Sequence, residues 1–209
     1  MCRTPLALKL VREYNTHMKK IKTIFDRDWE GDKRVINHFV GGVSEDILTQ
    51  AKATEKVDGT NVRLTVRNHT VVRVEKRRNP DKIQKHKGIE EPWYADASEG
   101  DPQDKYIFAA VRNTSLVDVP DGEWSGEALG PNIQGNLLNL DTNVVLLFSL
   151  GQAPVLPDCP TDYEALKDWL PRQKSMVGKD CGIEGIVWHC ADGEMFKIKC
   201  KDFMGDNRK

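Results

Sequence analysis

Glu55-Lys56-Val57-Asp58-Gly59-Thr60-Asn61-Val62-Arg63-Leu64-Thr65-Val66-Arg67-Asn68-His69-Thr70-Val71-Val72-Arg73-Val74 is the stretch from which the architecture follows. From Val62 to Arg67 apolar and polar residues alternate, the period of a strand with one buried face. Asn68-His69 makes a turn and Thr70 to Val74 returns, so the stretch predicts a β-hairpin. A lysine just before such a hairpin, followed by a glycine turn, can point its amine into a pocket.

Outward from the hairpin the chain alternates between strands and short helices. Residues 1–20 read as a polar helical extension. Residues 79–101, polar and rich in turn formers, predict a loop. Asp101-Pro102 predicts a helix running to about Asn113, with proline at the first helical position. Val144 to Leu150 is a continuous apolar run and predicts a buried strand. Thr161-Asp162-Tyr163-Glu164 has the form of a capping box, opening a helix to about Leu170 that Pro171 stops. Ile183 to His189 predicts a strand, Ala191-Asp192-Gly193 a turn, and Glu194 to Cys200 the returning strand of a second hairpin. The class is α+β, mostly antiparallel sheets with interspersed helices, and 209 residues suit one domain over 1–209 with residues 1–20 as an appendage.

Composition limits the partners. With 31 basic and 32 acidic residues the net charge is -1, so a nucleic-acid surface has to be local rather than global. No apolar run is long enough to span a membrane, and no signal peptide is read. The five cysteines form no CxxC pair, which argues against a structural zinc site and for free thiols in a reducing, cytoplasmic compartment. The histidines show no ligand spacing.

Five blocks carry chemistry in order. The first is Lys56-Val57-Asp58-Gly59. The second, Gly126-Glu127-Ala128-Leu129-Gly130-Pro131-Asn132-Ile133-Gln134-Gly135, sets one carboxylate among glycines that let backbone approach a ligand. Phe148 is the third, Glu184-Gly185-Ile186-Val187 the fourth. In the fifth, Lys197-Ile198-Lys199, strand period puts both lysines on one face, where they repel unless an anion lies between them. A nucleophilic lysine, two carboxylates, an aromatic and a lysine clamp are what nucleotidyl transfer needs. The lysine must lose its proton to attack a phosphate, and neighbouring positive charge favours that. Lysines and a divalent metal can neutralise the transition state.

This ordered set resembles the covalent nucleotidyltransferase superfamily of ligases and RNA capping enzymes. The form Lys56-Val57-Asp58-Gly59-Thr60-Asn61 is similar to the RNA ligase 2 and RNA-editing ligase branch, as is the Ile133-Gln134 that trails the second block. Lys22-Thr23-Ile24-Phe25-Asp26-Arg27-Asp28 and Lys197-Ile198-Lys199-Cys200-Lys201-Asp202-Phe203 also resemble phage and bacterial RNA ligases. The likeness runs from about Lys20 to Phe203. It implies an ATP-grasp-like ligase adenylation domain taking ATP and Mg2+, with Mn2+ able to replace it; because the chain ends soon after Lys199, no C-terminal OB-fold is expected. It implies an ATP-dependent RNA ligase that forms lysyl-AMP, moves AMP to a 5′-phosphate and joins that end to a 3′-hydroxyl. RNA is then the partner, with no membrane and no obligate protein partner.

By position the resemblance makes Lys56 the adenylated lysine and sets Glu55 where the chain contacts the adenine edge. Asn61 would assist later steps, and Arg77, beside Arg78, would contact the nucleotide and the RNA end. Glu127 would hold the ribose, Phe148 stack on the base, Glu184 organise the metal, and Lys197 and Lys199 serve the α-phosphate. For the polynucleotide itself, the basic segment Arg73 to Lys87 can neutralise phosphates, although a solvated loop has the same composition. Trp93 and Tyr94 could stack on a base but read better as local packing. The alternatives are a DNA-nick ligase or a GTP-dependent capping enzyme, which Asn61 disfavours, and a non-catalytic nucleic-acid-binding module on the same fold.

Overall fold

The computed structural model describes residues 20–204. The expected helix over 1–20 lies outside them, Lys20 apart. In chain order the elements are β1 (Lys22–Thr23), β2 (Phe25–Arg27), β3 (Val35–Phe39), α1 (Glu45–Gln50), β4 (Lys52–Lys56), β5 (Thr60–Arg67), β6 (Thr70–Arg78), α2 (Lys82–His86) and β7 (Trp93–Asp96). Then follow α3 (Lys105–Asn113), β8 (Gly122–Leu129), β9 (Val144–Leu146), α4 (Tyr163–Trp169), β10 (Gly185–His189) and β11 (Met195–Lys199). Sheets dominate, and every strand pair but β1–β11 among those described is antiparallel. No helix among the described residues is long and apolar enough to cross a membrane.

The described residues divide into two compact units, one holding Gly59–Gln152 and the other Ile21–Asp58 with 153–204. The continuous unit is a five-stranded sheet of order β7-β6-β5-β8-β9. Its β5–β6 hairpin turns at Asn68 and His69, both with positive φ (47° and 56°), the backbone that a two-residue hairpin turn requires. Val62, Leu64 and Val66 of β5 are fully buried in a core they share with Ile107 and Ala110 of α3. Strand alternation therefore turns Asn61, Arg63 and Thr65 to the other face, which is polar.

The split unit has a four-stranded sheet, β1-β11-β10-β4, and the separate β2–β3 pair. Trp188, Phe196, Ile186 and Ile198 fill its core together with Leu166 of α4. Phe25 packs against Phe39, Tyr163 and Phe203, with ring centroids 4.9, 5.1 and 6.5 Å away. Gly185 of β10 lies opposite Lys199 on one side and opposite Lys56 on the other. This register positions the chemistry.

Four expectations need correction. Residues 79–101 are not a plain loop: a reciprocal Asp81–Gln84 capping box starts α2, and Trp93–Asp96 adds an edge strand to β6. Five residues with a single apolar member, Ile83, give too little periodicity for such a helix to show in the sequence. The helix expected from Asp101-Pro102 starts at Lys105, because Asp104 turns its carboxylate to Ser98 N–H and the Lys76 ammonium. The strand expected over Val144 to Leu150 ends at Leu146. Leu147 N–H then donates to Gln152 Oε1 (2.8 Å), and Phe148–Leu150 form a 3-10 turn closed by Gly151 at φ 75°. Finally, Asp162 rather than Thr161 caps α4, accepting from Ala165 N–H at 2.9 Å.

Candidate active site

In the split unit, Lys56 ends β4, Glu184 precedes β10 and Lys199 ends β11. The β10 register brings all three together. Lys56 Nζ donates to Glu184 Oε2 at 2.5 Å, and Lys199 Nζ lies 2.5 Å from Glu184 Oε1. One carboxylate thus bridges two ammonium groups, each oxygen taking one, with 15–20% of each side chain exposed. Gly185 permits this closeness. A Cβ there would sit 2.1 Å from the Ile198 carbonyl oxygen, inside the β11 backbone. Lys197 shares the face of Lys199, since Phe196 and Ile198 alternate into the core.

Asp58 joins this group. Burial raises its carboxyl above the ordinary value and Glu184 adds to the rise, while Lys56, Lys199 and Lys201 pull it down. No role attached to Asp58 at the sequence level, although it stands inside the Lys56 block. Glu55 faces away from Lys56 by strand alternation and is buried. Its carboxylate accepts from Ser175 Oγ (2.5 Å) and Met176 N–H (2.8 Å), so its side chain holds the loop that leads to Glu184. Asp202 accepts from Lys199 N–H at 2.8 Å and pairs with Arg27, which ties down the end of β11.

Among the described residues no group of three or more His, Cys, Asp or Glu side chains could hold a metal ion. Glu184 and Asp58 are the carboxylates of this group, and magnesium-type ions take one or two carboxylates and complete their shell with phosphate and water.

The continuous unit carries the second group on the polar face of its sheet. Asn61 lies opposite Glu127 in the β5–β8 register. Its Nδ2 donates to Glu127 Oε2 and to the Gly126 carbonyl, both at 3.3 Å, and its Oδ1 accepts from Tyr94 Oη at 3.0 Å. Arg63 stacks over the Tyr94 ring, 4.5 Å from its centroid, and holds buried Glu75 by two hydrogen bonds of 2.7 and 2.8 Å. Gly59 is required where the strand begins, because a Cβ there would meet the Ala128 carbonyl at 2.3 Å.

Arg77 lies opposite Tyr94 in the β6–β7 register and donates to Asn79 Oδ1 at 3.0 Å, while its buried Nε has no hydrogen-bond partner. Arg78 is exposed. Phe148 is half-buried in its 3-10 turn rather than on a strand. The basic segment is partly committed: Arg73 pairs with Asp96 and Glu75, and buried Lys76 pairs with Asp104 and Asp101. Lys82, Lys85, His86 and Lys87 are not buried. Tyr94 works as a hydrogen-bonding side chain, which the composition of its segment does not disclose. Cys159, Cys181, Cys190 and Cys200 are half-buried free thiols.

Residues 104–206 match the family model of RNA ligase 1. No curated protein matches the chain. Among solved structures the chain is similar to a Naegleria gruberi RNA ligase with PPi, at 15% identity and a TM-score of 0.44, covering 90% of this chain and 63% of that one. A variant of the Naegleria gruberi enzyme with AMP and Mn is 16% identical, with a TM-score of 0.48 and coverage of 89% and 64%. Another, with ATP and Mn, is 14% identical, with a TM-score of 0.46 and coverage of 88% and 61%. The chain spans less than two thirds of the length of these relatives.

Proposed function

We propose that this chain is an ATP-dependent RNA ligase. Lys56 Nζ attacks the α-phosphate of ATP, forming the phosphoramide of lysyl-AMP and releasing pyrophosphate. The AMP then passes to the 5′-phosphate of an RNA end, and a 3′-hydroxyl displaces it as the strand is sealed. The observation that carries the reading is the Glu184 carboxylate bridging Lys56 and Lys199 beside Asp58.

Lys56 has to shed a proton before it attacks, and Glu184 Oε2 is within hydrogen-bond reach to take it. Lys199 and Lys197, on one strand face, meet the negative charge that gathers on the phosphate and the departing pyrophosphate. A bound Mg2+, or Mn2+ in its place, would supply Lewis-acid charge there, with Glu184 and Asp58 as protein donors. In the continuous unit we assign Glu127 to the ribose, Asn61 to the steps after adenylation, Phe148 to the base and Arg77 to the nucleotide and the RNA end. Glu55 contributes backbone at the adenine edge while its carboxylate braces the loop of Ser175 and Met176. We propose a single adenylation domain and place the reaction in the cytoplasm. The match of residues 104–206 to RNA ligase 1 supports the RNA ligase reading.

Intact mass after incubation with ATP and Mg2+ tests it. Wild type should gain AMP, or purify with AMP that pyrophosphate removes, and Lys56→Ala should never carry it. A wild-type protein free of AMP under every condition sinks the reading. Comparison of ATP with GTP, and of RNA with DNA nicks, then separates RNA ligation from capping or DNA sealing.

A further inference from the structure

We infer that Tyr94 is a positioning residue for the nucleotide, acting through Asn61 to set the Glu127 carboxylate for the ribose. This rests on the role given to Glu127 above. A phenol has one hydrogen to donate. Asn61 Oδ1 can only accept, so the Tyr94 hydroxyl gives its proton to Asn61, and Ser125 Oγ, 3.0 Å from Tyr94 Oη, must be the donor to Tyr94. The hydrogen bonds therefore run in one direction, from Ser125 to Tyr94 to Asn61 to Glu127.

The links are unequal. Asn61 reaches Gly126 and Glu127 at 3.3 Å, the long end of the range, whereas Tyr94 holds it at 3.0 Å. The Tyr94 bond is the tightest of those on the Asn61 amide. Tyr94 is itself held, its backbone paired with Arg77 on β6 and its ring beneath the Arg63 guanidinium, which Glu75 grips by both oxygens. Burial pushes its hydroxyl up to about 12, against smaller effects of Ser125 and Arg63, so it stays a donor at neutral pH. Tyr94→Phe keeps the ring and its stacking and removes both hydroxyl bonds, the restraint on Asn61 and the contact with Ser125 Oγ. The Asn61 amide is then no longer held against Glu127, whose charge stays.

Adduct formation, followed by intact mass against concentration of ATP, 2′-deoxy-ATP and 3′-deoxy-ATP, tests the inference. Wild type should favour ATP over at least one deoxy analogue. In Tyr94→Phe the KM for ATP should rise about tenfold, the scale of one hydrogen bond to a charged group. The KM for that analogue should stay put, and the preference should fall with it. Asn61→Ala should show the same loss, and the double variant no more than either. Ser125→Ala, which leaves Tyr94 donating to Asn61, should keep the preference. An unchanged preference in Tyr94→Phe, whatever happens to kcat or Tm, overturns the inference. So does additivity in the double variant, or a wild type that does not discriminate between ATP and either analogue. A wild type that never forms the adduct overturns instead the ligase reading beneath it.

Discussion

Gly185→Ala is the sharpest test of how the lysine cluster is built. The added Cβ would lie 2.1 Å from the Ile198 carbonyl oxygen and 2.9 Å from Lys199 Cα, both backbone atoms that no rotamer change can move. Relieving the overlap requires β10 and β11 to part by about 1 Å, toward ordinary van der Waals separation. Ladder hydrogen bonds around the Gly185–Lys199 pair would stretch past useful length. One or two lost bonds with buried groups left unmade amount to about 2–4 kcal/mol. The same shift would pull Lys199 from Glu184, whose contact is now 2.5 Å, and a misplacement of about 1 Å at a reacting centre can cost about 10²-fold in rate. Urea unfolding and the rate of AMP-adduct formation measure the two effects. Gly41→Ala is the control, since a Cβ at Gly41 has nothing within 4 Å, and it should stay within about 0.5 kcal/mol of wild type. A Gly185→Ala protein with wild-type stability and adduct rate would refute the claim that this glycine exists for close strand approach.

Two further outcomes follow from the split unit. Trp188, 1% exposed in its core, should cost about 3–5 kcal/mol when truncated in Trp188→Ala, read from the urea midpoint; a loss below about 1 kcal/mol would mean the core is not organised around it. His189 is held below its ordinary 6.5, chiefly by burial and then by Lys52. As pH falls below 6.5 the unfolded chain therefore takes up a proton that the native chain refuses, and stability drops until the native value is passed. Well above 6.5, where both states are neutral, it contributes no pH dependence. Urea midpoints on either side of that pH should show this limb in wild type and a shallower one in His189→Asn; equal slopes would remove His189 as its source.

Much of the fold was legible because local periodicity and turn chemistry act over a few residues. The β5–β6 hairpin appears as alternation from Val62 to Arg67 around Asn68-His69, and the structure adds only length, to Thr60 and Arg78. The second hairpin was legible for the same reason, trimmed to Gly185–His189 and Met195–Lys199. Two of the failures have a related cause: a side-chain partner outside the expected element outcompeted a local signal. Asp104 looked like part of a helix start but was claimed by Lys76, 28 residues away. The apolar run beyond Leu146 looked like strand, yet Gln152 captured Leu147 N–H and turned the chain at Phe148.

The candidate site divides along the same line. The residue types and their order, from Lys56 through Glu127 and Glu184 to Lys199, stand in the sequence, because the chemistry needs particular functional groups and short blocks carry them. Which groups touch could not be read there. That Glu184 bridges Lys56 and Lys199 depends on strands β4, β10 and β11 lying side by side in one register, over sequence separations that no local rule spans. That Tyr94 reaches Asn61, and that Glu55 spends its carboxylate on Ser175 and Met176, depends likewise on long-range pairing. Sequence determines which side chains are available and how each short segment prefers to bend. Tertiary packing alone decides which donor meets which acceptor, because a buried polar group must find a partner wherever in the chain that partner lies.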